Sequence, residues 1–256
     1  MRKIILVFIF LIFIVIIGGF FLFKSSVGES GCVINDLRQT PVSLDLAKSV
    51  ASDQVQRNNP PFDWVYVGNY VVYNSFGDTN YYIIIFRKIE FTKFDTLAKL
   101  EQNAKLFSDS TSEESDNKYQ FNDIVATVMT GTMKEDKLIQ RHFRGIPESI
   151  GKRLEIKEFI ESNYPGKTIG NLIFDSPMDV GFYEIISKSL GESSGDLIRV
   201  LDKSIVSLRQ LKQNQEDIQK RKQQRYSTYE DEECERYKQA AVDAMNANIN
   251  QWNEFE

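Results

Sequence analysis

Residues 64–73 read WVYVGNYVVY, and residues 81–91 read YYIIIFRKIEF. Both runs are rich in aromatic and β-branched side chains, which pack well on a pleated, half-buried surface. The polar stretch between them contains Gly77 and Asp78 and is typical of a turn. The sequence therefore predicts a β-hairpin, with Gly68 and Asn69 forming either a bulge or a second tight turn.

Helices and a second hairpin are predicted around this pair of strands. Apolar residues spaced three and four apart predict a helix over residues 41–58, opened by Thr40 and Pro41, and another over residues 92–107, opened by Thr92. Residues 124–132 and 138–143 predict the second hairpin.

The sequence beyond this hairpin predicts two further helices and a strand. Residues 148–163 are typical of a helix, and residues 172–174 of a short edge strand. Ser176 and Asp179 resemble a capping box and predict a helix that reaches Leu190. The complete order predicts the α+β class, with an antiparallel sheet from two hairpins packed by helices.

Residues 195–256 predict a long helical extension, because they are charged, rich in Gln and free of Pro. We expect residues up to Leu211 to dock on the domain, and the polar stretch 212–225 to project or to bridge back. Five apolar residues fit a heptad seam, which polar residues interrupt, and they predict a partner-binding, coiled-coil-like helix. They are Leu197, Leu201, Leu208, Leu211 and Ile218.

Residues 4–23 form a run of twenty residues without a charge. A helix of that length spans roughly 30 Å, the thickness of the hydrocarbon core of a bilayer. Arg2 and Lys3 precede the run and only Lys24 follows it closely, which predicts a cytoplasmic N-terminus and an extracytoplasmic remainder. The alternative is a signal peptide that is cleaved before Glu29.

This pattern predicts four segments along the chain. They are a transmembrane signal anchor over residues 1–24, a tether over 25–39, a soluble α+β domain over 40–194 and the helical extension over 195–256. The chain has two cysteines, Cys32 and Cys234, which an oxidising compartment would allow to form a disulfide. The alternative is two unrelated thiols.

The composition restricts the classes of function. A formal net charge of −5 argues against nucleic-acid binding, which requires a positive surface. His142 is the single histidine, so any catalytic triad and most zinc sites would have to use it. Its alternation with Gln140 and Arg144 favours a histidine on the solvated face of a strand instead.

Four further patterns have structural explanations that we prefer. Residues 165–168 (PGKT) lack the first glycine of a phosphate-binding loop. Ser149 and Lys152 match the common S-x-x-K spacing of a Ser/Lys hydrolase, but the other motifs of that class are absent. The acidic run 230–235 suits the first turn of a helix. The strand aromatics could form a ligand platform, although they are more typical of core packing; they are Trp64, Tyr66, Tyr70, Tyr73, Tyr81 and Tyr82.

No pattern in the sequence predicts a catalytic residue, a cofactor site or a metal site. The anchor and the half-apolar helix favour a membrane-anchored protein of the cell envelope whose extracytoplasmic domain serves protein interaction or assembly, through a partner or through self-association. The alternatives are an anchored hydrolase that acts on envelope polymers and an accessory domain that binds a small ligand through its aromatic strands.

Overall fold

The fold was determined as a computed structural model, which describes residues 40–58, 63–109, 123–175, 181–226 and 231–256. Six α-helices and eight strands lie in these ranges. The helices are α1 Leu44–Asn58, α2 Leu97–Asp109, α3 Glu148–Gly151, α4 Arg153–Asn163, α5 Leu208–Tyr226 and α6 Asp231–Asn253. The strands are β1 Trp64–Tyr73, β2 Thr79–Lys88, β3 Val125–Gly131, β4 Ile139–Arg144, β5 Lys167–Ile173, β6 Phe182–Ser187, β7 Ser193–Arg199 and β8 Ile205–Ser207.

The chain divides into two compact units. Within the described residues, the larger unit comprises everything from residue 40 to residue 217 together with residues 240–256, and it contains the whole sheet. The smaller unit comprises residues 218–226 of α5 and residues 231–239 of α6. The fold is thus a mixed α+β fold, as the sequence predicts at the level of class.

The eight strands form one sheet in the order β4-β3-β2-β1-β5-β6-β7-β8. Every neighbouring pair is antiparallel except β1 and β5, which run parallel and pair Val72 with Leu172 and Tyr73 with Ile173. The sheet therefore consists of two four-stranded antiparallel halves that meet at one short parallel seam. Both predicted hairpins belong to the first half, and Gly68 lies at a bulge in β1.

Side-chain alternation along β2 explains why its sequence is apolar almost without interruption. Ile83 and Ile85 belong to a cluster that α2, α3 and α4 help to form, through residues such as Leu100, Ile150 and Ile156. Ile84 and Phe86 belong to a second cluster, which includes buried residues of α1. Because successive side chains of a strand point to opposite faces, a strand that is covered on both faces is apolar at every position.

The end of α6 completes the second cluster. Trp252 is 0% exposed, belongs to that cluster and donates a hydrogen bond from Nε1 to the Asp136 carbonyl oxygen at 3.1 Å. Asn248 Nδ2 donates to the Glu135 carbonyl oxygen at 2.7 Å. Lys134 Nζ donates to Asn253 Oδ1 at 2.9 Å. The last turns of α6 are therefore held by the turn between β3 and β4.

Two predicted helices are wrong. The sequence predicts a helix from 176 to 190, but residues 182–187 form β6, in which Tyr183 and Ile185 are buried with a period of two. Residues 176–180 lie outside the described residues. The predicted helix over 195–207 is likewise replaced by β7, a turn and β8, because β7 pairs with both β6 and β8. Gly195 in β7 has a φ of +78°, which a helix does not adopt.

The predicted helix starts and one predicted strand also need correction. Helix α1 begins at Leu44, where Ser43 Oγ accepts a hydrogen bond from the Leu46 amide at 3.1 Å. Helix α2 is capped by Thr96, whose Oγ1 accepts from the Lys99 amide at 3.3 Å. The stretch 172–174, expected at an edge, belongs largely to β5 in the middle of the sheet.

Gly181 illustrates a position that only glycine can occupy. Its φ is +90°, which L side chains rarely adopt, and a Cβ atom there would overlap the ring of the buried Phe174. The chain can therefore enter β6 close to the end of β5 only through a residue without a side chain.

Several predictions fall outside the described residues. These are the transmembrane anchor over 1–24, the tether over 25–39 and the cysteine Cys32. Among the helices that the structure describes, none is long and apolar enough to cross a bilayer. Cys234 is buried in α6, and its pairing with Cys32 stays a prediction.

Candidate functional site

A cavity of about 170 Å³ lies where the turn after β1 meets β5, β6 and the start of α5. Its lining combines aromatic walls with polar groups, and all of these residues belong to the larger unit. The residues that matter for its chemistry are Tyr73, Ser75, Phe76, Asn171, Glu184 and Lys212.

The turn between β1 and β2 fixes one wall of the cavity. Asn74 Oδ1 accepts hydrogen bonds from the amides of Phe76 and Asp78, each at 2.9 Å, which is how an Asn side chain closes a tight turn. The Ser75 amide donates to Asp175 Oδ1 at 2.8 Å, so the turn is also tied to the end of β5. As a result Ser75 is 1% exposed, and its hydroxyl has no hydrogen-bond partner among the described residues.

A bulge in β5 and a close packing of β6 place the acidic group of the cavity. The register of β5 against β6 shifts between Ile169 and Leu172. Within this shift, Asn171 Nδ2 donates a hydrogen bond to Glu184 Oε2 at 3.2 Å. Gly170 lies beside both strands, and a Cβ atom there would come within 2.7 Å of the Ile186 side chain. Because Gly170 has no side chain, the two strands pack closely here, and both Glu184 and Asn171 line the cavity.

Helix α5 supplies the basic group. Leu208 and Lys212 are four residues apart, so they lie on the same face of the helix, and both line the cavity. Within the described part of the chain, Lys212 and Glu184 form no ion pair with each other or with another side chain. The cavity thus presents one carboxylate and one ammonium group that are not neutralised by a salt bridge.

A second polar cluster lies between the sheet and the helices α2 to α4. The Tyr70 hydroxyl donates a hydrogen bond to Glu101 Oε1, and Arg153 Nη1 lies 3.5 Å from Glu101 Oε2. The Tyr183 hydroxyl donates to the Ser149 carbonyl oxygen at 2.9 Å. These contacts join β1 and β6 to α2, α3 and α4, and they stabilise the packing of the helices on the sheet.

The electrostatics of this cluster agree with a structural role. Burial raises the pKa of the Tyr70 phenol well above its usual range, and the hydrogen bond with Glu101 raises it further. Burial also raises the pKa of Tyr183, although the nearby Arg153 lowers it in part. Both phenols therefore stay protonated as hydrogen-bond donors at any ordinary pH.

The strand aromatics do not form a single platform. Trp64 and Tyr81 are buried in different apolar clusters. Tyr66 is 40% exposed, and the planes of its ring and the Phe86 ring lie at 71° to each other. Of the six aromatic residues singled out in the sequence, Tyr73 alone lines the described cavity.

The Ser/Lys pattern does not produce an accessible nucleophile. Ser149 is 2% exposed in α3, and Lys152 Nζ forms an ion pair with Glu148 at 2.5 Å. The cavity described above is lined by a single carboxylate, that of Glu184. Among the described residues, no group of three His, Cys, Asp or Glu side chains could hold a metal ion.

His142 lies half-buried on the edge strand β4, and its Nε2 has no hydrogen-bond partner among the described residues. Burial lowers its pKa, and the neighbouring Arg144 lowers it further. The prediction of a strand histidine is confirmed, but its side chain is less solvated than the alternation with Gln140 and Arg144 suggested.

The five residues of the predicted partner-binding helix are separated by the fold. Leu197 is fully buried on β7, and Leu201 is 51% exposed in the turn that follows β7. Leu208 and Leu211 are half-buried in the first turns of α5, while Ile218 is exposed further along that helix, in the smaller unit. The heptad seam is therefore wrong for its first two members, because β7 and β8 occupy the positions where a helix was expected.

Sequence spacing could not have revealed the cavity, since Ser75, Asn171, Glu184 and Lys212 are far apart along the chain. No family model, curated protein or solved structure matches this chain.

Proposed function

We propose that this chain is a membrane-anchored protein of the cell envelope whose extracytoplasmic part serves assembly, and that a second copy of the chain binds to its helical unit. The proposal keeps the anchor predicted from residues 4–23 and adds a surface that the structure describes. The observation that supports this proposal is that the two helices of the smaller unit carry charges of opposite sign.

The basic side of this surface lies near the end of α5, and the acidic side at the start of α6. Arg221 and Lys222 are exposed, as are Glu232 and Glu233, and none of the four forms an ion pair within the described residues. Two copies in antiparallel arrangement would bring the basic segment of each against the acidic segment of the other. Such two-fold, self-complementary contacts are the commonest kind in homo-oligomers.

The smaller unit also exposes two apolar side chains. Ile218 is 44% exposed and Tyr237 is 42% exposed, and both lie on the helices of the smaller unit. Exposed apolar side chains between charged residues are typical of an interface with an apolar centre and a polar rim. We therefore expect Ile218 to lie near the centre of the contact.

The test is the oligomeric state of the full chain in detergent micelles, measured by sedimentation equilibrium. We expect a dimer that dissociates when Ile218 is replaced by Glu and that weakens as the salt concentration rises, since exposed charges are screened. Ile205→Glu is the matched control, because Ile205 is 41% exposed on β8 in the larger unit. A monomer under all conditions would refute assembly through a second copy.

A reporter fusion and a co-purification test the rest of the proposal. A reporter that is active only outside the cytoplasm, fused after Glu256, should be active in cells. A stable, different protein that co-purifies with a monomeric chain, and that Ile218→Glu releases, would keep the interaction surface but replace the second copy with that partner.

A further inference from the structure

We infer that the cavity between the β1–β2 turn, β5, β6 and α5 binds a small zwitterion, an α-amino acid with an aliphatic side chain. This inference is independent of the proposed assembly. It rests on the two charges that line the cavity, on its size and on its apolar wall.

The charges select for a ligand that carries both signs. Glu184 provides a carboxylate for an ammonium group, and Lys212 provides an ammonium group for a carboxylate. A ligand with only a negative charge would be repelled by Glu184, and one with only a positive charge would be repelled by Lys212. Since neither side chain has an ion-pair partner among the described residues, both are available to a ligand.

A neighbouring polar group orients one of these charges. Asn171 donates to one oxygen of Glu184 and so fixes the direction of the carboxylate, which makes it a positioning residue. Ser75 also lines the cavity, and its buried hydroxyl has no hydrogen-bond partner within the described residues. An unpaired buried hydroxyl is uncommon in proteins, because leaving it unpaired costs free energy.

The size and the wall of the cavity define the rest of the ligand. A volume of about 170 Å³ is equivalent to roughly six water molecules, which suits a small organic molecule. Tyr73, Phe76, Ile173 and Leu208 supply an apolar surface beside the charged groups. An aliphatic side chain attached to the zwitterion would bury apolar area there.

The experiment is isothermal titration calorimetry on the full chain in detergent micelles. The probes are L-valine, glycine, isovalerate and isobutylamine; the last two carry the valine side chain with a carboxylate alone or an ammonium group alone. We expect saturable binding of L-valine, weaker binding of glycine, and binding of each single-charge probe at least tenfold weaker than that of L-valine.

Two pairs of variants assign the binding to this cavity. Glu184→Gln and Lys212→Gln should each weaken L-valine binding at least tenfold. Glu192→Gln and Lys137→Gln should leave it unchanged, because both residues are exposed and neither lines the cavity. Thermal unfolding of each variant shows whether it is folded before its affinity is compared.

Three results would overturn the inference. The first is the absence of saturable binding of both L-valine and glycine to the folded wild-type chain. The second is binding of isovalerate or isobutylamine as tight as that of L-valine, which would indicate a site for a single charge. The third is wild-type affinity for L-valine in folded Glu184→Gln and Lys212→Gln.

Discussion

Replacing Trp252 by Ala should destabilise the sheet domain strongly, although residue 252 is separated from the strands that it contacts by more than a hundred positions. The side chain is 0% exposed and fills a cluster whose other buried members come from residues 42–128. A buried tryptophan removes about 150–250 Å² from water. At about 25 cal/mol per Å² this corresponds to about 4–6 kcal/mol as an upper value.

The expected loss is somewhat smaller, because alanine retains part of the contact. Trp→Ala substitutions in cores cost about 3–5 kcal/mol. For a domain of this size each kcal/mol lowers the unfolding midpoint by about 2–4 °C, so the total shift is roughly 6–20 °C. Trp252→Phe keeps an aromatic ring but loses the Nε1 hydrogen bond to the Asp136 carbonyl oxygen. The loss of that bond should lower the free energy of unfolding by about 1 kcal/mol.

The assay is thermal unfolding of the full chain followed by circular dichroism. Gln251→Ala is the matched control, since Gln251 is the neighbouring residue on α6 and is exposed. Equal midpoints for Trp252→Ala and Gln251→Ala would show that the end of α6 does not belong to the cooperative core, and the assignment of Trp252 to that core would have to be abandoned.

Three further predictions concern pH and backbone conformation. Because the pKa of His142 is lowered in the folded state, the unfolded chain binds more protons, so chemical denaturation should show stability falling as the pH drops below about 6.5; His142→Gln should lessen that fall. Gly181→Ala should lower the free energy of unfolding by about 2–5 kcal/mol, because it adds left-handed backbone strain and an overlap with a buried ring. Gly191→Ala adds the backbone strain alone, since its Cβ atom would meet open space, and should lower the free energy by about 1–2 kcal/mol in the same denaturation experiment. In an alkaline titration followed by ultraviolet absorbance, Tyr70 and Tyr183 should ionise only when the chain unfolds. Tyr70→Phe should therefore leave the absorbance change before unfolding the same as in the wild type. A smaller absorbance change before unfolding would contradict the burial of the Tyr70 phenol.

Local sequence was sufficient to predict the first half of the sheet. The predicted strand over residues 64–73 coincides with β1, and the second hairpin lies where residues 124–132 and 138–143 indicate it. These strands are dense in β-branched and aromatic residues and are separated by clear turn residues. In such segments the local preference and the tertiary environment favour the same structure.

The second half was mispredicted because its local signals conflict. Phe182, Ile185 and Ile186 are spaced as on one face of a helix, yet they also have high strand propensity, and pairing with β5 and β7 decides in favour of β6. Leu197 and Leu201 have heptad spacing, but Leu197 pairs with residues on β6 and β8. Periodicity over so few residues cannot distinguish the two structures when tertiary pairing determines the outcome.

The polar sites could not be predicted at all, because their members come from distant parts of the chain. Glu101 is 31 residues from Tyr70 and 52 residues from Arg153. The groups at the cavity depend on a bulge in β5 and on the turn after β1, and neither can be located against the other before the strand order is known. Residue types alone therefore indicated no site.

The parallel seam between β1 and β5 has a consequence for how the chain folds. Each four-stranded half is built from strands that follow one another along the chain, so every pairing within it joins sequence neighbours, at most about fifty residues apart. Val72 and Leu172, which pair across the seam, are a hundred residues apart, so their contact carries a larger loop-closure entropy than the pairings within each half. We expect the two halves to form first and the seam to close late. Until it closes, β1 and β5 each present an unpaired edge. During that interval two copies can exchange halves and form a domain-swapped dimer.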